Sequence, residues 1–202
     1  MSIYLASRSP RRRELLAQIG VKFEPLLFRE GARADSDTSE SVLIGESPDD
    51  YVRRVTRMKA GAAWQRVVMR RGLQRKAVLA ADTTVALGAE ILGKPADRAD
   101  AERILATLSG KQHRVLTAVG IEFEERFEMV VSESLVTFAP LDEARIAAYV
   151  QSGEPFDKAG AYGIQGRAGA FVQRIEGSYS GIMGLPLFET AQLLRKFGIV
   201  VP

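Results

Sequence analysis

Blocks of apolar and polar residues succeed one another along the chain at spacings that switch between two kinds of element. Residues 3–6 are a short, wholly apolar run and predict a buried strand ending at Ser7. Leu15, Leu16 and Ile19 then recur at helical spacing. Ser9 is placed to cap that helix and Pro10 to occupy its first position, where a fixed φ and a missing N–H cost nothing. Residues 23–28 predict a second strand. Residues 29–46 are polar, aperiodic and rich in Ser, Asp and Gly, the pattern of a mobile loop. Ser47-Pro48-Asp49-Asp50 combines a cap, a proline and first-turn acids. It opens a helix carrying Tyr51, Val55, Met58, Ala62 and Val67 to about residue 71. Residues 78–81 predict a short buried strand, and residues 85–92 a second extended piece after a break. Asp97 starts a helix with Ala101, Ile104, Leu105 and Leu108 on one face, stopped by Ser109-Gly110. Residues 115–123 and 127–138 are long β-branched and aromatic runs separated by charge, as in a hairpin. A helix over 142–152 ended by Gly153, a strand over 171–175 and a helix over 186–197 complete the order. Strands and helices interleave without internal repeats or a boundary-quality linker, which predicts one α/β domain over residues 1–202 with a mixed sheet.

Composition narrows the classes. A chain of 202 residues suffices for one sizeable core, or for two lobes sharing a cleft. No cysteine occurs, which removes disulfides, thiol nucleophiles and cysteine-based zinc sites together. The net charge of +3 suits an anionic ligand but is too small to imply nucleic-acid wrapping, and aromatic residues, at 7%, are too few for base-stacking platforms. No apolar run approaches about 18 residues, and charge follows the first apolar stretch at once. Neither a membrane span nor a signal peptide is expected, and the cytoplasm is the expected compartment. His113 is the sole histidine. Its place at the start of a strand pattern beside Arg114 gives no hint of a Ser-His-Asp triad, so a structural or surface role is expected. Any metal would then sit on oxygen ligands, which means magnesium or manganese.

Five segments invite a chemical reading, and two of them fail it. Ser7-Arg8-Ser9-Pro10-Arg11-Arg12-Arg13-Glu14 joins a strand end to a helix start whose free N–H groups favour an anion, with three arginines in the same turn. It reads either as a phosphate-binding corner or as a basic, solvated helix end. Ala81-Asp82-Thr83-Thr84 places a carboxylate at the end of a buried strand, either a catalytic or metal-binding acid or an Asx-type turn. Gly88-Ala89-Glu90-Ile91-Leu92-Gly93-Lys94-Pro95 nearly matches a P-loop, yet Pro95 stands where a magnesium-ligating hydroxyl belongs, so that reading is rejected. Gly177-Ser178-Tyr179-Ser180-Gly181 fails as a nucleophile elbow because its centre is Tyr179. Asp157-Lys158-Ala159-Gly160-Ala161-Tyr162-Gly163-Ile164-Gln165-Gly166 spaces three glycines by threes after an acid and a base. That suggests either close backbone approach to a ligand or a turn that simply packs tightly.

Leu5-Ala6-Ser7-Arg8-Ser9-Pro10-Arg11-Arg12, Ala81-Asp82-Thr83 and residues 157–166, taken together with Lys59-Ala60, Gly93-Lys94-Pro95, Leu108-Ser109-Gly110, Thr117-Ala118-Val119 and Gly184-Leu185-Pro186-Leu187, resemble the Maf family of nucleotide pyrophosphatases. The matches are collinear and run from residue 3 to about residue 195. The resemblance implies an elongated mixed β-sheet flanked by helices, with two lobes around a central cleft, as in the inosine triphosphatases. It implies hydrolysis of dTTP and UTP to the monophosphate and pyrophosphate, a divalent cation (Mg²⁺ or Mn²⁺), and Asp82 as general base or metal ligand. Both roles of Asp82 stay open, since a carboxylate of ordinary pKa, about 3.9, is a weak base at neutral pH. Ser7, Arg12, Arg13, Lys59, Lys94 and Lys158 would bind the triphosphate, and Arg11, Thr83 and Gln165 would set base preference. A Gln amide offers the donor and acceptor that match O4 and N3–H of uracil or thymine. The family usually carries an acidic pair after the second strand; here Glu30 is the expected metal acid, with Asp35 or Glu40 as alternatives. Homodimers are common in the family, and its association with septum formation offers another reading, a nucleotide-binding regulator with little catalysis.

Overall fold

The computed structural model of the chain describes residues 2–26 and 40–201. Strands β1 (Ile3–Leu5), β2 (Phe23–Pro25), β3 (Val78–Leu87), β4 (Glu90–Leu92), β5 (Gln112–Phe123), β6 (Arg126–Phe138) and β7 (Val172–Glu176) form one sheet. Its order is β2-β1-β3-β5-β6-β7, with β4 paired to β3. β1 runs parallel to both of its neighbours and every other pairing is antiparallel, so the sheet is mixed as expected. Helices α1 (Pro10–Gln18), α2 (Pro48–Met69), α3 (Arg98–Leu108), α4 (Glu143–Gln151), α5 (Tyr179–Met183) and α6 (Leu187–Lys196) flank it. The caps expected at Ser9 and Ser47 are present, and Asp97 and Asp142 cap their helices in the same way: each of the four accepts from the backbone N–H three residues on. No described helix is long and apolar enough to cross a membrane.

The expected break at Asp82 is absent. β3 runs unbroken through it, in register with β5 from Val78↔Glu122 to Ala86↔Arg114. A carboxylate in an apolar run signals a stop only if it stays unpaired. Here Lys59 of α2 reaches it, and the β-branched pair Thr83-Thr84 favours extension. Asp82 therefore sits mid-strand rather than at a strand end. The near-P-loop is a hairpin: Gly88, at φ +60°, turns β3 into β4, with Leu87 opposite Glu90. Of the strand expected over 23–28, residues 23–25 are extended, and residues 27–28 lie outside the described residues, as do 29–39 of the expected loop. Helix α5 was not foreseen, because a five-residue element containing Gly181 carries no periodicity to read.

Alternation along β3 positions the site. Val78 and Ala80 pack against Ala60, Ala63, Trp64 and Val67 of α2. Leu79 and Ala81 face the other way, onto Leu15 and Leu16 of α1 and Leu193 and Leu194 of α6. Continuing that period of two, Asp82 falls on the α2 side and Thr83 on the α1 side. A third cluster joins α3 and α4 to Phe138, Tyr162 and Phe171 beneath the segment that follows α4.

Candidate active site

A cleft of about 810 Å³ opens along the middle of β3. Its walls come from the β1–α1 turn, residues 40 and 42, α2, the segment after β4, residues 157–165 and the end of α5. Three consecutive arginines begin α1, but each residue turns about 100° around a helix axis, so they cannot face one way. Arg12 turns inward. Its Nε donates to Gly184 O at 2.8 Å, Nη2 to Thr83 Oγ1 at 3.1 Å and Nη1 to Ser7 Oγ at 3.4 Å. Burial pulls the Arg12 guanidinium below its ordinary pKa, and the Asp82 charge opposes that shift. Thr83 Oγ1 lies 2.9 Å from Thr117 Oγ1, and Thr117 donates to Gly181 O at 2.7 Å. Arg11 pairs with Asp157 across the cleft at 3.5 Å. Arg13 does not line the cleft; its Nε is buried without a hydrogen-bond partner among the described residues.

On the α2 side, the Lys59 ammonium bridges two carboxylates, 2.7 Å from Asp82 Oδ1 and 2.7 Å from Glu40 Oε1. Lys59 stands at the margin of the buried α2 stripe, one turn beyond Val55 and beside Ala60, which places a cation at the edge of the core. Lys94, largely exposed, lies 4.0 Å from Glu40 Oε2. Burial raises the Glu40 pKa, but the charges of Lys59, Lys94 and Arg12 outweigh it, and the carboxyl titrates below its ordinary range. Glu30, the expected metal acid, and Asp35 lie outside the described residues. Glu40, the third alternative, is the one the described residues bring to Lys59 and Asp82.

The glycine-rich segment forms the opposite wall. Lys158 Nζ donates to Glu154 O and to Asp157 Oδ1, each at 2.5 Å. Its stem lies under Gly163, where a Cβ would come within 2.7 Å of Lys158 Cε. Gly160 takes φ +70° and donates its N–H to Gly93 O at 3.0 Å, tying this wall to the residue before Lys94. Tyr149 Oη lies 3.0 Å from one oxygen of Glu154, whose other oxygen accepts from the N–H of Arg167 at 3.1 Å, which fixes the turn carrying Gln165. Gln165 is exposed and lines the cleft. His113 is buried, 2.8 Å from Tyr162 Oη, and burial pushes its pKa down to about 4. It is neutral at physiological pH and lies outside the cleft lining, in keeping with the structural role expected. Sequence reasoning gave no role to Gly184, whose carbonyl anchors Arg12. Its only signal was membership in the Gly184-Leu185-Pro186-Leu187 motif.

A strand–turn–helix corner, paired lysines and a glycine-rich wall thus surround one groove, in the order in which the sequence motifs occur. A profile described as Maf-like protein matches residues 2–197. The chain belongs to the Maf family. Among curated relatives of this Maf-family chain, a dTTP/UTP pyrophosphatase of Dechloromonas aromatica (strain RCB) is 56% identical over 198 residues, covering 98% of each chain. One of the same name from Ralstonia nicotianae is 59% identical over 200 residues, covering 98% of this chain and 95% of the relative. The Staphylococcus aureus Ham1 protein superposes with a TM-score of 0.45 at 18% identity, over 68% of this chain and 71% of that chain, too loose a likeness to argue from.

Proposed function

We propose that this chain hydrolyses dTTP and UTP to the nucleoside monophosphate and pyrophosphate, with Mg²⁺ or Mn²⁺ as cofactor. The observation that carries the reading is the convergence of Asp82, Glu40, Lys59, Lys94 and Arg12 on one cleft large enough for a nucleotide. The names of relatives that match almost the full length support the same substrates.

The donor set fits a hard divalent cation. Two carboxylates, Asp82 and Glu40, already flank one positive centre, the Lys59 ammonium. No group of three or more metal-ligating side chains occurs among the described residues, so the remaining ligands would be phosphate oxygens and water, the usual habit of Mg²⁺. When bound, the cation would polarise the phosphate and lower the pKa of water. The protein's own groups do the rest. Asp82 Oδ1 is engaged by Lys59, which leaves Oδ2 for one of two roles, holding the cation or orienting the attacking water and accepting its proton. Lys59, Lys94, Lys158 and Arg12 neutralise charge spreading over the phosphate oxygens, and Ser7 adds a hydroxyl at the β1–α1 turn. Arg13 does not line the cleft, and the reading gives it no contact with the phosphates. The Gln165 amide reads O4 and N3–H of the pyrimidine, with Arg11 and Thr83 shaping the same end. The cytoplasm and a homodimer are the setting proposed for the enzyme.

The test is a pyrophosphate-release panel over ordinary and modified triphosphates, with and without Mg²⁺ or Mn²⁺. UTP and dTTP should release pyrophosphate only with metal, and Asp82→Asn should abolish release while retaining nucleotide binding. Undiminished turnover by Asp82→Asn would remove the assignment.

A further inference from the structure

The segment that delivers Glu40 is tied to α2 chiefly by Arg54, which lies outside the cleft lining. Arg54, two turns into α2, donates from Nε to Glu46 Oε1 at 2.5 Å and from Nη2 to Glu46 Oε2 at 2.8 Å. The same Nη2 donates to Ser41 O at 2.9 Å, and Glu46 Oε2 accepts the N–H of Leu43 at 3.0 Å. Tyr51 adds a bond from its hydroxyl to Glu40 O at 2.9 Å. One guanidinium therefore holds the carbonyl next to Glu40 and the carboxylate that closes the 43–46 turn. The hydrogen bond from Arg54 lowers the Glu46 pKa and that to Glu46 raises Arg54, so the pair stays ionised at neutral pH. Lys59 lies on the same helix, about 7.5 Å further along its axis at 1.5 Å per residue. A single rigid element thus supplies the ammonium and fixes the backbone from which its second carboxylate hangs.

We propose that Arg54 is a positioning residue that holds the Glu40 carboxylate against Lys59 and so sets how tightly a divalent cation is held between Glu40 and Asp82. The inference rests on the reading of that pair as the cation site. Arg54 does not line the cleft and touches neither substrate nor the reacting atoms. Its loss therefore weakens the site by letting residues 40–46 drift, as removal of groups behind a metal ligand does elsewhere.

The experiment is direct Mn²⁺ binding to the full chain, read as loss of the free-ion signal in electron paramagnetic resonance, with a non-hydrolysable UTP analogue present. The metal dependence of pyrophosphate release is followed in parallel. Arg54→Met should raise the Mn²⁺ dissociation constant about tenfold or more. Its kcat at saturating Mn²⁺ should stay near the starting value, a separation that general loosening of the fold does not produce. Arg54→Lys, with one point of contact in place of a fork, should fall between. Glu46→Gln, which keeps the chain's shape, should weaken Mn²⁺ in the same direction and serves if Arg54→Met does not fold. Glu40→Gln separates the two levels of the argument. If it weakens Mn²⁺ while Arg54→Met and Glu46→Gln bind it normally, the positioning role is overturned and the cation site stands. If Glu40→Gln also binds normally, the cation site itself falls.

Discussion

Gly160→Ala is the sharpest test of how the glycine-rich wall is built. Two separate costs follow from the geometry. The first is backbone: φ is +70°, and an L-residue in that region costs about 1–2 kcal/mol. The second is contact: a Cβ at Gly160 would lie 2.8 Å from both Cγ atoms of Val85 and 2.9 Å from its Cβ. Val85 is buried on β3, so relief requires moving the sheet or the turn, and overpacking of this kind costs about 1–3 kcal/mol. The neighbouring Ala161 already holds φ +59°, so the fold tolerates the backbone term here and the contact should decide the outcome. The expected loss is about 2–5 kcal/mol of unfolding free energy, measured by urea denaturation. A cycle with Val85→Ala divides it. Trimming Val85 should return about 1–3 kcal/mol as coupling, and leave about 1–2 kcal/mol belonging to the backbone. Because Gly160 also bonds to Gly93 O, the single variant should raise KM for UTP as Lys94 and Lys158 separate. A loss under about 1 kcal/mol, or no coupling to Val85, would refute the reasoning.

Other outcomes follow from the site. Arg12→Lys keeps the charge but gives up a fork that serves Gly184, Thr83 and Ser7, and should cost about 3 kcal/mol in thermal or urea melts with a raised KM. His113 binds its proton near 6.5 when unfolded but only at about 4 when buried, so between those values the unfolded chain carries more protons. Stability from this group should therefore be full above pH 6.5 and decline by about 3 kcal/mol toward pH 4; urea midpoints of His113→Gln should lose that part of the slope. Gln165→Ala should lower the ratio of UTP to GTP turnover by about tenfold or more, and an unchanged ratio would clear the amide of base reading. Leu79→Ala, at a fully buried position of β3 facing α1 and α6, should cost about 2–5 kcal/mol without changing that ratio.

What the sequence made legible were signals that act over a few residues. Caps at Ser9, Ser47, Asp97 and Asp142 satisfy backbone donors within one turn, and each began the helix expected of it. The continuity of β3 was hidden because the group that neutralises Asp82 sits 23 residues away on α2. The meeting of Glu40 with Lys59 was equally non-local, since it depends on how Tyr51 and Arg54 of α2 hold residues 40 and 41. Arg12 could be distinguished from Arg11 and Arg13 only once α1 was docked on the sheet, because helix rotation decides which of the three meets Thr83 and Gly184. Family resemblance supplied the set of residues, and three-dimensional packing supplied which of them meet.

The hydroxyls of Thr83 and Thr117 have a directional consequence. Gly181 O can only accept, so Thr117 spends its one hydrogen there, and Thr83 must in turn spend its own on Thr117. Arg12 then occupies one lone pair of Thr83 from the other side. What Thr83 can still show the groove is a lone pair and nothing else. A guest atom that arrives bearing a hydrogen fits that chain of hydroxyls as it stands, whereas a bare carbonyl oxygen is served there only if the Thr83 hydrogen leaves Thr117.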